Sequence, residues 1–205
     1  MIGIINYGLG NLGSVLNAFE YLGIDAEIVE NPFNVSRYDR LILPGVGSFA
    51  MGMENLNSSG WSDVIRQHLT QGVPLLGICL GMQLLFDEGE EHGMKAGLGL
   101  ISGRVIPLIS SPSFPVPHMG WNSLSYNYHH ELFHGVKEHV DMYFVHSYQC
   151  VPIQEETVLA TCDYAGGFVA AVCKKNIAGV QFHPEKSQDM GLKILENFAV
   201  WDGVC

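Results

Sequence analysis

Apolar residues fall in short runs along the first half of the chain, each bounded by glycine, proline or polar residues. The runs at 1–6, 25–30, 40–44 and 73–78 are too short for helices and rich in Ile, Leu and Val, so they read as buried strands. Helical patterns separate or follow them at about 11–22, 61–71 and 79–87. Alternation of this kind implies a parallel sheet with helices on its faces, an α/β fold. The second half changes character. Short strands near 98–106, 116–125, 142–150, 156–163, 167–174 and 176–182 suggest antiparallel additions, closed by a helix near 187–200. Between Pro107 and Pro117, four prolines and three serines read as a surface loop. No repeat, low-complexity tract or linker divides the chain, which predicts one domain over 1–205.

In parallel sheets the working residues gather beyond the carboxyl ends of the strands. Two glycine-rich segments fall there, Gly45-Val46-Gly47 and Gly77-Ile78-Cys79-Leu80-Gly81. The second has the small-x-nucleophile-x-small pattern of a nucleophile elbow. Flanking glycines let the chain bend and a substrate approach. A thiol placed there faces the positive end of the following helix, which favours the reactive thiolate. The backbone N–H of Leu80, just after the nucleophile, is a natural oxyanion donor. Far downstream stands Gln181-Phe182-His183-Pro184-Glu185. In an extended segment His183 and Glu185 share a face while Pro184 points away. Cys79, His183 and Glu185 together offer nucleophile, base and orienting carboxylate. Taken alone, Cys79 reads as an ordinary buried cysteine.

Composition narrows the classes. The 205 residues suit one sizeable core, and a net charge of −11 argues against a nucleic-acid surface. The apolar start has no basic leader or cleavage site, and the longest uncharged window makes a poor membrane span. A cytoplasmic protein is expected. Five cysteines without CxxC spacing read as reduced thiols, with no disulfide framework and no metal site.

Two motifs point elsewhere. Gly8-Leu9-Gly10-Asn11-Leu12-Gly13 is a literal G-x-G-x-x-G after a strand, the context of a dinucleotide fingerprint or simply of a tight strand-to-helix turn. A cofactor reading leaves the Cys79 and His183 segments unexplained, so no cofactor is expected, and a non-catalytic dinucleotide-binding module stays as the outside alternative. His130-Glu131-Leu132-Phe133-His134 is a literal H-E-x-x-H, but Gly135 follows at once and no apolar helical stripe precedes it. A turn is expected there in place of a zinc-binding helix. His146 reads either as a second base or as a satisfied buried histidine.

PGVGSF at 44–49, GICLGMQ around Cys79 and HPE at 183–185 resemble the class I (triad) glutamine amidotransferases, over essentially the whole chain. HMGWN (118–122), YFVHSY (143–148) and GVQFHPEKS (179–187) are most similar to the branch that supplies ammonia to imidazole glycerol phosphate synthesis. The resemblance implies a mostly parallel central sheet flanked by helices with added antiparallel strands. It also implies hydrolysis of glutamine by Cys79, His183 and Glu185. A second oxyanion donor is implied at Val46, between Gly45 and Gly47, and substrate contacts at Gln83, Glu91, Ser147 and Tyr148. Asn11 and Lys186 match positions near the partner, a (β/α)8-barrel cyclase with which a heterodimer is implied. The chain has no evident ATP loop or acceptor site, and free ammonia would be lost as ammonium, which independently argues for a receiving partner. Alternative acceptors within the family are surface-sugar amidination and pyridoxal phosphate synthesis.

Overall fold

Apolar runs bounded by turn residues form β1 (Ile2–Ile5), β2 (Ala26–Val29), β3 (Arg40–Gly45) and β4 (Leu75–Cys79) in a computed structural model that describes all of residues 1–205. Between and after them lie α1 (Leu12–Tyr21), α2 (Phe49–Ser58), α3 (Trp61–Thr70) and α4 (Leu80–Leu84). The second half supplies β5 (Phe86–Gly89), β6 (Lys95–Ala96), β7 (Ile101–Pro107), β8 (His118–Tyr126), β9 (Asp141–His146), β10 (Tyr148–Pro152), β11 (Val158–Cys162), β12 (Phe168–Lys174), β13 (Ile177–Val180) and α5 (Gln188–Val200).

Nine strands form one mixed sheet in the order β2-β1-β3-β4-β13-β12-β11-β8-β9. Its first five strands are parallel and the rest add antiparallel. Successive strand residues face opposite sides. Ile42 and Leu76 therefore join one apolar cluster with Val15 and Phe19 of α1 and Ile194 and Phe198 of α5. Leu41, Leu43 and Leu75 join the other, with Phe49, Met53, Trp61 and Ile65 of α2 and α3. A four-stranded sheet, β10-β7-β5-β6, flanks the main one. No helix is long and apolar enough to cross a membrane.

Four local expectations change. The helix after Cys79 ends at Leu84, and Phe86–Gly89 is a strand of the small sheet. The run at 142–150 breaks at Ser147 into β9 of the large sheet and β10 of the small one. The helix α2 was not foreseen, although its buried residues Phe49, Gly52, Met53 and Leu56 keep helical spacing. Gly52 disguises the stripe: it occupies a core position because a Cβ there would meet Leu84 at 3.0 Å. Lastly, Cys173 and Cys205 are joined as a disulfide, leaving Cys79, Cys150 and Cys162 free and buried. Their 32-residue separation gave no local signal, since the pairing forms only when residues 201–205 fold back beside Pro74 and Asn176.

Candidate active site

Cys79 ends β4 and caps α4 with φ 56 and ψ −111, outside the usual regions for a residue with a Cβ. Backbone strain of this kind, about 1–3 kcal/mol, persists only where the surroundings fix it. Here they do. A Cβ on Gly81 would overlap the Leu43 carbonyl, and one on Gly77 would lie 2.7 Å from the Gly81 carbonyl oxygen. Both glycines thus let α4 sit directly on β3 and β4 and pin the turn between. Leu80 is the first residue of α4, so its N–H has no acceptor within the helix. The Cys79 thiol donates weakly to the Val145 carbonyl at 3.8 Å and accepts from Gln181 Nε2 at 3.7 Å.

His183 lies just past β13, the strand that pairs with β4, so the sheet itself brings it to Cys79. Its Nδ1 bonds Glu185 Oε1 at 2.8 Å, and both side chains are only 2% exposed. The chain between them is not extended as the sequence suggested: Pro184–Lys186 makes a 3-10 turn, and the pair meets across it. Ser187 holds that turn, its hydroxyl donating to the His183 carbonyl at 2.6 Å and accepting from the Tyr143 N–H at 3.0 Å. Burial works against the imidazolium. Interaction with the Cys79 thiol and the Glu185 carboxylate outweighs it and raises the His183 pKa from 6.5 to about 10. Nε2 of His183 is buried without a protein partner, as is Oε2 of Glu185.

One cavity of about 320 Å³ is lined by Cys79, His183, Val46, Gly47, Leu80, Gln83, Glu91, Ser147 and Tyr148. Nine of the thirteen candidate residues therefore come together from five separate stretches of chain. Gly45 lies behind the lining, paired with Cys79 across β3 and β4, and Glu185 lies behind His183. Asn11 and Lys186 are exposed and outside the lining; the 184–186 turn packs against α1, the helix that Asn11 caps. The Glu91 carboxylate accepts the N–H of Phe49 at 2.6 Å through Oε2.

Three features were not singled out from sequence. Gln181 is fully buried and links the Cys79 sulfur to Gln83, whose Nε2 donates to Gln181 Oε1 at 3.0 Å. It stands two residues before His183, so the period-2 spacing that marked His183 marked it too. Tyr7 is buried with its hydroxyl unpartnered and pressed towards Gly45; burial, then the nearby Cys79 charge, raises its pKa well above 10. Pro117, Val145 and His146 complete the lining.

His146 resolves as the satisfied histidine. Its Nδ1–H donates to the Tyr148 carbonyl at 2.8 Å, so its Nε2 accepts from His118 Nδ1 at 2.9 Å. His118 Nε2 in turn accepts from Asn122 at 2.7 Å. Both rings stay neutral in this chain, and burial lowers the pKa of each to about 4. The glycine-rich loop at 8–13 serves the turn. Gly8 and Gly10 adopt φ 87 and 118, and Gly10 packs on the Pro44–Gly45 peptide, where an added Cβ would sit 3.5 Å away. The His130–His134 stretch is a 3-10 turn, with Glu131–Phe133 helical and the two histidines at its ends.

A buried cysteine on a strained elbow, beside a buried histidine–glutamate pair at a cavity, is the equipment for attack on an acyl carbon. A family model for glutamine amidotransferase class-I matches residues 3–201. A Chlorobaculum tepidum protein named imidazole glycerol phosphate synthase subunit HisH is 47% identical over 97% of this chain and 99% of its own. A Wolinella succinogenes protein of the same name is 47% identical over 97% and 98%. Among solved structures, one titled glutamine amidotransferase superposes with a TM-score of 0.76 at 21% identity, covering 97% of this chain and 99% of its own. PurLQS from Thermotoga maritima gives 0.74 at 19%, covering 96% of each; at these identities the likeness speaks to fold alone. With a family model spanning almost its whole length and relatives of this similarity, the chain belongs to the class I glutamine amidotransferases.

Proposed function

We propose that the chain, as a single domain over 1–205, is the glutaminase subunit of an imidazole glycerol phosphate synthase. It releases ammonia from glutamine and passes it to a cyclase subunit. The observation that carries the chemistry is the buried His183–Glu185 pair at 2.8 Å opening onto the same cavity as Cys79. The choice of partner rests on near-full-length relatives that bear that subunit's name.

The geometry supports the following sequence. Cys79 attacks the side-chain amide carbon, and the oxyanion that forms is met by the N–H of Leu80 and the N–H of Val46. The His183 cation gives its proton to the departing nitrogen, which leaves as ammonia. The neutral imidazole then takes a proton from water, whose hydroxide opens the thioester and releases glutamate. Glu185 holds Nδ1 protonated throughout and stabilises each cationic state. Glu91 keeps one carboxylate oxygen on Phe49, leaving the other to meet the substrate's α-ammonium. Gln83, Ser147 and Tyr148 frame the remaining polar end, and Gly45 and Gly47 give the Val46 peptide freedom to turn.

Asn11 and Lys186 are assigned to the cyclase-facing edge, and the cyclase to a (β/α)8 barrel. A heterodimer in the cytoplasm needs no cofactor bound to this chain. The test is coupled turnover: purified chain, cyclase and its nucleotide substrate should yield one glutamate per imidazole glycerol phosphate formed. Glutamine hydrolysis that no cyclase stimulates would move the acceptor elsewhere. Saturable NAD binding without glutaminase activity would replace the reading altogether.

A further inference from the structure

The mechanism uses one cysteine, yet a second group of reactive side chains lies at the other end of the sheet. Cys173 on β12 pairs across to Ala178 on β13, which pairs to Leu76 near the start of β4, whereas Cys79 ends that strand. His130, Cys173 and Cys205 bring their ligand atoms within 4.8 Å of one another. Cys173 is buried, His130 half-buried and Cys205 exposed.

Such a trio has two possible uses, a soft metal ion or sulfur chemistry, and the hydrogen bonds on His130 decide between them. Its Nδ1 accepts the N–H of Leu132 at 3.1 Å, which caps the 131–133 turn. A neutral imidazole that accepts at Nδ1 carries its proton on Nε2. Nε2 lies 3.4 Å from the Cys173 sulfur. It therefore presents an N–H to that sulfur, where a metal would need a lone pair. A donor aimed at sulfur favours the anionic form, which attacks disulfides. In this structure the two cysteines are already joined, with Cα atoms 5.9 Å apart, so the arrangement shown is that of the oxidised product.

We propose that Cys173, Cys205 and His130 form a thiol–disulfide exchange site whose substrate is a low-molecular-weight disulfide such as oxidised glutathione. The exposed Cys205 thiolate attacks one sulfur of that disulfide, forming a mixed disulfide and expelling one glutathione thiolate. The Cys173 thiolate, held by His130 Nε2–H, then attacks the Cys205 sulfur and expels the second. Two protein thiols are oxidised, one small disulfide is reduced to two thiols, and the protein's two protons pass to the departing thiolates. The bond ties residues 201–205 to β12. There Trp201 and Gly203 already pack, Trp201 in the core and Gly203 against Pro74 and Asn176. It closes a loop that includes β13, the turn carrying His183 and Glu185, and α5, and it lies at the opposite end of β4 from the cavity. Its effect is on stability.

The experiment uses the full chain carrying Cys79→Ala, so that the elbow thiol does not react, equilibrated with mixtures of oxidised and reduced glutathione. Intact mass after acid trapping should show loss of two hydrogens. The melting temperature should rise by about 5–10 °C on closure, the order expected for a loop of this length in a chain of this size. Cys205→Ser should abolish both changes. His130→Asn retains an acceptor for the Leu132 N–H but removes the donor to sulfur. It should slow the second step at least about threefold, so that glutathionylated Cys205 accumulates. The proposal is overturned if Cys173 stays reduced in excess oxidised glutathione, or if closure is equally fast in His130→Asn. Uptake of stoichiometric zinc by the reduced protein, blocking closure, would overturn it in favour of a metal site.

Discussion

Replacing Glu185 by Gln removes one charge from a pair whose members are each 2% exposed and 2.8 Å apart. Moving the His183 pKa from 6.5 to about 10 corresponds to roughly 5 kcal/mol in favour of the folded cation. The Cys79 thiol and Glu185 share that effect, so about 2 kcal/mol is assigned to the carboxylate. Gln keeps an acceptor for Nδ1–H, but its amide would place an N–H donor where Oε2 now lies buried without a partner, which adds to the cost. The sign follows from the raised pKa. Stabilisation by the pair is fully present below pH 6.5 and is lost as pH rises through about 10. The melting temperature of Glu185→Gln should thus lie about 4–8 °C further below wild type at pH 6 than above pH 10, where only the cost of the unpaired amide N–H remains. In turnover the same 2 kcal/mol is about 30-fold in kcat, and a lost tautomer raises the deficit towards about 10⁴. Differential scanning fluorimetry of both proteins across pH, with stopped glutamate assays at saturating glutamine, reads both effects. A melting difference independent of pH, or unchanged kcat, would refute the ion-pair reasoning.

Cys79→Ala should abolish glutamine-dependent product formation in the cyclase complex while leaving ammonia-dependent formation intact, as a product assay with either nitrogen source will show. Cys79→Ala and His183→Ala combined should be scarcely worse than either alone, because the two act as a unit; multiplicative losses in kcat would argue against that. Gly81→Ala should lower stability by about 1–3 kcal/mol in urea unfolding, since its Cβ overlaps the Leu43 carbonyl. Gly13→Ala, with nothing within 4 Å, should be neutral or gain about 0.4–1 kcal/mol. Glutaminase activity of the isolated chain should rise at least about a hundredfold with the cyclase and its nucleotide ligand, and Val46→Pro, which lacks the N–H, should lose that rise while still binding glutamine and partner.

Much of the site was legible because its chemistry is local. Gly77 to Gly81 encodes an elbow wherever it folds, since the glycines remove the Cβ atoms that would keep α4 off β3. The parallel half of the sheet followed equally from short aliphatic runs separated by helical patterns. Less was legible where a residue's role depends on what packs against it. Gly52 conceals the apolar stripe of α2 until Leu84 is seen to lie against it. Ser147 divides one apolar run between two sheets, which no period within 142–150 announces.

By itself, then, the sequence determined the parallel strands and the elbow that carries Cys79, since spacing and residue type set backbone geometry over a few residues, and it named His183 and Glu185 without showing the 3-10 turn across which they meet. Tertiary structure decided the rest. It turned His146 into a neutral link between His118 and Tyr148, set Gln181 between Cys79 and Gln83, and joined Cys173 to Cys205 across 32 residues. Each of these depends on a hydrogen-bond partner or sulfur atom from a distant segment, and the first two also on burial that leaves no water to take its place.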